Sequence, residues 1–164
     1  MRFKRRPKPV DPKKIVILRD DREHKPWSFL SQQWPVKIKR LAVGDYTVEG
    51  YESKIAIEKK SGFKELFANL TSGDRPRFER YLGRLGKFPV KCIVVEDAFV
   101  DEQIAYTSKI LQRKGSQLTP QTVYYWSAKI ICEYGIPLFF CSPSSVSRFV
   151  PALIIQAVRK ADTL

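Results

Sequence analysis

Residues 44–60 read GDYTVEGYESKIAIEKK. Two short runs, 45–49 and 53–60, favour extended structure, and the turn-prone Gly50 lies between them, which predicts a β-hairpin. With the turn centred between Tyr51 and Glu52, antiparallel pairing sets Asp45 across from Glu58. A two-residue period then puts Glu58 and Lys60 on one face of the second strand, Ile55 and Ile57 on the other. Asp45, Glu58 and Lys60 would converge on a single face. Like charges directly opposite each other destabilise a sheet by about 0.2–1 kcal/mol when exposed, and by more when partly buried. A divalent cation reverses that sign. Mg²⁺ takes hard oxygen ligands, commonly one or two carboxylates with water and phosphate completing the octahedron. Asp45, Glu58 and the backbone carbonyl of Lys59 make up such a set. Lys60 would orient or help deprotonate an attacking water and stabilise charge on a phosphate. The competing reading is a surface hairpin whose charges are simply solvated.

Outward from the hairpin, the pattern is α/β. KIVIL (14–18) is a buried-type strand, and the spacing of Trp27, Leu30 and Trp34 predicts a short helix in KPWSFLSQQW. VKIKRLAV (36–43) alternates like a strand. FKELFANL and RPRFERYLGRL predict two helices separated by TSGD, with Ser72 and Asp74 as caps of the second. VKCIVVED (90–97) is another buried strand of the kind found in a sheet covered on both faces. A helix-rich stretch follows, then a helix over 120–134, the strand IPLFFC, and a helix over 143–161 opened by Ser142 and Pro143. The expected architecture is a three-layer αβα domain on a mixed central sheet. Residues 14–164 read as one domain, without repeat or internal linker, behind a flexible basic tail over 1–13.

Thirty Lys and Arg against 17 Asp and Glu give the 164-residue chain a net charge of +13, which calls for a polyanionic partner. Nucleic acid is the first candidate. An anionic membrane ranks second, but no amphipathic basic anchor and no apolar span stands in its favour. Cys92, Cys132 and Cys141 are odd in number, widely spaced and set in apolar runs, so they read as buried free thiols of a reducing compartment. No CxxC pair accompanies the lone His24, which argues against structural zinc. The basic start is followed by no apolar h-region, so the expectation is an intracellular, DNA-associated protein in cytoplasm, nucleoid or nucleus.

Asp20, Arg22 and Glu23 follow directly on KIVIL, at a strand end that in α/β sheets faces the ligand. Asp20 would extend the metal site, and Arg22 offers a bidentate fork to phosphate. The rival reading is a surface ion pair of little energetic worth. ILRDDRE, GDY, IEKKS and RFERYLGRL together resemble the nuclease domain of the XPF family, a branch of the PD-(D/E)xK nucleases with a restriction-endonuclease-like fold. The family pattern is a D-x-R-E strand end, then G-D, then E-R-K. The likeness is strongest over 15–97 and weaker beyond.

That resemblance puts Asp20, Arg22, Glu23, Asp45, Glu58 and Lys60 on active-site positions, with Asp45 and Glu58 as principal metal ligands. Two departures stand out: Lys59 fills the middle position of E-R-K, and Lys64 stands where the family has an acidic residue, which Glu65 matches only with a one-residue insertion. No helix-hairpin-helix module is found after residue 97. The implied activity is Mg²⁺-dependent endonucleolytic cleavage of branched or flapped DNA, as in repair and recombination, with Mn²⁺ expected to substitute. The alternatives are a non-catalytic DNA-binding or scaffold subunit of a nuclease dimer, and a Holliday-junction resolvase from another PD-(D/E)xK branch.

In the helix predicted over 75–85, Phe78, Leu82 and Leu85 share one face while Arg77, Arg80 and Arg84 line another. With Arg75, Lys59, Lys87, Lys91 and the segment KIKR, these would track a phosphate backbone. Such contacts read no sequence, so selectivity for DNA structure, branched or partly single-stranded, is expected. Val123, Ile130 and Ile131 read as core. Tyr124, Tyr125 and Trp126 are consecutive, and one narrow helix face cannot bury all three. The remainder would cover a homo- or heterodimer interface through the C-terminal helices, as the resemblance implies, or stack on unpaired bases. RKGSQLTP (113–120) reads as an exposed loop within reach of DNA.

Overall fold

Strands Ile17–Arg19 (β1), Val36–Ile38 (β2), Tyr46–Val48 (β3), Ile55–Lys60 (β4), Val90–Val95 (β5) and Leu138–Phe140 (β6) form one sheet in the order β2-β1-β3-β4-β5-β6. The computed structural model describes residues 11–71 and 73–164. β3 pairs antiparallel with β1 and β4, whereas the β1–β2, β4–β5 and β5–β6 pairs are parallel. Tyr46 stands opposite Ile57, the register that carries Asp45 across from Glu58.

Five helices, Phe63–Thr71 (α1), Arg75–Leu85 (α2), Asp101–Gln112 (α3), Pro120–Tyr134 (α4) and Pro143–Ala161 (α5), cover both faces. One core gathers Ile17, Ile55, Ile57, Cys92 and Val94 under α5 and a 3-10 turn at Ser28–Gln32. The other packs Ala56, Ile93 and Val95 against α1 to α4, so side chains of β4 and β5 alternate between the two layers as a two-residue period requires. The mixed three-layer αβα sandwich is the expected fold class. α4 is capped by Thr119, whose hydroxyl accepts from Thr122 N (3.2 Å), and closed by the left-handed Gly135. The hairpin's outer end is tied to the end of α5: Tyr51 OH bonds Asp162 Oδ1 (2.6 Å) and Lys54 Nζ bonds the Ala161 carbonyl (3.1 Å).

Several local expectations change. The strand expected over 36–43 stops at Ile38, because the following residues wrap the Asp20 carboxylate, with Leu41 N donating to it at 2.7 Å. β1 is shifted to 17–19, and the short helix near Trp27 is the 3-10 turn. Ile131 is 48% exposed and Cys132 exposed, on the outer side of α4. The loop after α3 is anchored by a fully buried Leu118. Residues 1–10 of the expected tail and the capping Ser72 lie outside the described residues, while Pro12–Lys14 form a 3-10 turn. Asp74 holds the N-cap position of α2 without a side-chain capping bond, and Ser142 holds that of α5 likewise. Among the described residues, no helix is long and apolar enough to cross a membrane.

Candidate active site

All six residues of β4 are buried, including the consecutive charges Glu58, Lys59 and Lys60. A solvated surface hairpin is thereby excluded. Buried charges are costly unless paired and hydrogen-bonded, so each of the three needs a partner. Lys60 Nζ lies 2.7 Å from Glu58 Oε1 and 3.6 Å from Glu65 Oε1. The second oxygen of Glu58 accepts from the hydroxyl of Tyr81 on α2. Lys59 points to the opposite layer, where its Nζ meets Glu96 (3.4 Å) and Ser61 Oγ (3.1 Å). Burial works against the charge of Lys60, but Glu58 beside it outweighs that and raises its pKa.

Asp45 leaves a turn that only glycine accommodates well. Gly44 has φ +81°, and a Cβ there would come within 3.1 Å of the Ile57 carbonyl. Asp45 N donates to Ile57 O (2.9 Å), and its Oδ2 accepts from Lys59 N (2.8 Å). Burial, together with the neighbouring Glu58, pushes the Asp45 carboxyl up to about 7. Ile57 O turns toward β3 and Lys60 O toward β5, where it accepts from Glu96 N, so alternation turns the Lys59 carbonyl to the side of Asp45.

Asp20 is engaged on every side. It accepts from Arg22 N (2.9 Å), Arg22 Nε (2.6 Å), Arg22 Nη2 (2.9 Å) and Leu41 N (2.7 Å) while only 1% exposed. Its burial favours the neutral form, yet the bonds from Arg22 and Leu41 win and hold the pKa down to about 2. The Arg22 fork expected to grip phosphate is therefore committed to Asp20, and Nη2 also donates to the Leu41 carbonyl (2.8 Å). Glu23 is half-buried, its backbone N closing a turn onto Asp20 O.

Asp20, Arg22, Asp45, Glu58 and Lys60 line one open pocket of about 300 Å³, together with Tyr81, Arg77 and Arg84. Asp45, Lys60 and Arg22 also border a second groove containing Glu23, Glu65 and Lys64. All six of the active-site positions therefore meet at these two openings. Of the expected DNA contacts, Arg75, Arg77, Arg80, Arg84 and Lys87 are exposed on or just after α2, and Arg77, Arg80, Arg84 and Lys87 line a further cationic groove. Lys59 must be withdrawn from that set, because its ammonium is buried against Glu96. Glu65, beside Lys64, accepts from Ser61 N (2.8 Å) and lies 3.6 Å from Lys60 Nζ.

The donor set suits a hard divalent cation. Two carboxylates sit on neighbouring strands, and the proximity of one raises the pKa of the other. Among the described residues no three acidic, His or Cys side chains gather about one point, so water and substrate phosphate would complete the shell. Asp20, turned into Arg22, contributes to this site as a brace for the loop at Leu41. Tyr81 stands inside RFERYLGRL but is not among the site residues that the motifs name. Its signal is periodicity: three residues after Phe78, it lies on the inward side of α2 with its polar tip toward β4. Of the consecutive aromatics on α4, Trp126 is buried, Tyr124 half-buried and bonded to Asp101, and Tyr125 59% exposed.

A family model described as the ERCC4 domain matches residues 19–153. No curated protein matches the chain in sequence. Among solved structures, XPF from Aeropyrum pernix is similar with a TM-score of 0.64 at 20% identity, covering 90% of this chain and 67% of that one. The structure of XPF from Aeropyrum pernix in complex with DNA gives a TM-score of 0.62 at 20% identity, covering 89% and 66%. The chain spans about two thirds of the length of these relatives.

Proposed function

This chain belongs to the ERCC4-domain family, and from that premise we propose that it is a divalent-cation-dependent endonuclease that hydrolyses a phosphodiester bond in branched or flapped DNA. The observation that carries the reading is the convergence of Asp45, Glu58 and Lys60 in one pocket whose rim bears Arg77 and Arg84. Two carboxylates that repel each other in a buried setting are an unfavourable arrangement for a fold and a favourable one for a cation. Asp45, Glu58 and the Lys59 carbonyl would hold Mg²⁺ or Mn²⁺, which would supply neutralisation of phosphate charge and acidification of water.

The chain's own groups do the rest. Arg77 and Arg84 at the pocket, with Arg80 and Lys87 beyond them, offer cationic contacts for backbone phosphates of a bound strand. Lys60, drawn to Glu58 at 2.7 Å, orients the attacking water and stabilises charge that develops on the phosphate. The Asp20–Arg22 pair fastens the loop at Leu41 through both of that residue's backbone groups. Contacts to backbone phosphate carry no base code, which favours recognition by DNA shape. Pairing with a second chain through α4 draws on the exposure of Tyr125 and Ile131 there.

The test is cleavage of labelled flap, fork, Holliday-junction and plain duplex DNA in Mg²⁺, Mn²⁺ or EDTA, comparing wild type with Asp45→Asn. Nicking that needs the metal and vanishes in the variant is the expected result, and the substrate ranking separates a flap nuclease from a junction resolvase. A second reading, a DNA-binding scaffold subunit, draws on the fact that both Glu58 oxygens already have protein partners. Tight DNA binding without cutting in every metal would favour it.

A further inference from the structure

Tyr81 touches three parts of the site at once. Its hydroxyl donates to Glu58 Oε2 and accepts from Gly44 N (3.0 Å), the residue whose turn aims Asp45. Its ring lies under the Arg84 guanidinium, 5.7 Å from centroid to carbon, and stacks on Phe78 at 6.2 Å with planes 15° apart. A single phenol therefore grips one carboxylate directly and the other through its preceding turn, from the helix that carries the phosphate-facing arginines. Building on the reading of Asp45 and Glu58 as cation ligands, we propose that Tyr81 is the positioning residue that sets the cation affinity of this carboxylate pair and links it to phosphate held by Arg84.

The physical case rests on which freedoms the hydroxyl removes. Lys60 takes one oxygen of Glu58, and without Tyr81 the carboxylate is free to rotate about its last torsion and carry the other away from Asp45. Gly44, in its left-handed conformation, would lose the one side-chain acceptor of its N–H. Hydrogen bonds of this outer kind characteristically change metal affinity by about 10–100-fold when removed. The link to Arg84 is reciprocal by necessity: if bound phosphate steadies the ring and so favours the cation, the cation favours phosphate by the same factor.

The deciding experiment is Mn²⁺ binding measured directly, by calorimetry or by the loss of free Mn²⁺ signal in electron paramagnetic resonance, with and without a short DNA duplex. Tyr81→Phe keeps the ring, its stacking on Phe78 and its contact with Arg84, and removes only the two hydrogen bonds. Mn²⁺ affinity lowered about tenfold or more, with DNA affinity in EDTA unchanged, is the expected result. Replacing Tyr81 by 4-aminophenylalanine, which puts an N–H donor where the phenol oxygen stood, should recover part of the loss and serves if the Phe variant fails to fold. Unaltered Mn²⁺ affinity in Tyr81→Phe overturns the role of Tyr81 alone. Absence of Mn²⁺ binding in wild type overturns the cation-site reading and this inference with it.

Discussion

Asp20 and Asp45 are joined through their backbones, Asp20 N donating to Asp45 O at 2.8 Å, yet their carboxylates live in opposite circumstances. Four donors surround Asp20 and hold its pKa to about 2. Asp45 accepts from Lys59 N, and burial, then the neighbouring Glu58, push it up to about 7. The first carboxylate is already satisfied by the protein and behaves as architecture. The second is buried beside another carboxylate with fewer donors, which is the environment that the proposed cation would relieve. Their difference shows that an acidic motif divides its labour by hydrogen bonding more than by proximity.

The largest effect should come from breaking the needy member. Asp45→Asn is expected to lower the cleavage rate by about a thousandfold or more, roughly 4 kcal/mol of barrier, while DNA binding in EDTA persists. Single-turnover kinetics beside a binding titration will check it. The same variant should leave the metal-free fold as stable as wild type or more so, since it removes a repulsion. Asp20→Ala should do the reverse. It strands the buried Leu41 N–H and releases Arg22, and a loss of about 2–3 kcal/mol in chemical denaturation is expected.

A pH series sharpens the contrast. Asp20 has a depressed pKa, so its stabilisation is present above about pH 4 and is lost as pH falls toward 2. Asp45 has a raised one, so between about pH 4 and 7 the fold binds more protons than the unfolded chain and its stability declines as pH rises. Metal-free protein should therefore be most stable near pH 4–5, and saturating Mg²⁺ should remove the descending limb. Denaturant midpoints with EDTA and with Mg²⁺ will show whether the limb is there. The smallest effect belongs to the cationic face outside the pocket: Arg80→Ala should weaken binding to all DNAs about equally and reduce the salt slope of log Kd by about one.

The sequence carries one side of this contrast, the pairing of Asp45 with Glu58, but not the other, since there Asp20 reads as a further metal ligand and the structure surrounds it with four protein donors. Alternation and a glycine turn are local signals, and they sufficed for the Asp45–Glu58 register and for the α/β layering. The same alternation puts Lys59 on the face away from Glu58 and Lys60, which argues against its use on DNA; net charge outweighed periodicity there. Other features depend on distant partners. β2 ends at Ile38 because Leu41 has a better acceptor in Asp20, across 21 positions of sequence, and no propensity encodes that bond. The commitment of the Arg22 fork to Asp20 is a matter of rotamer, which a motif leaves open. Tyr81 reaches Glu58 across 23 positions, and although it stands inside RFERYLGRL nothing in that run of sequence points it at a carboxylate.

The clamp between the hairpin and α5 bears on how this protein comes into being. Tyr51 and Asp162 are 111 positions apart, and Lys54 and Ala161 are 107. A ribosome releases the hairpin long before it releases the residues that fasten its outer end, and β5, the parallel neighbour along the whole of β4, also emerges in the interval. A chain interrupted before the end of α5 carries Asp45, Glu58 and Lys60 without the frame that aims them. The hairpin is therefore a local element whose final fastening is non-local, and closing it waits on contacts 107 and 111 positions away.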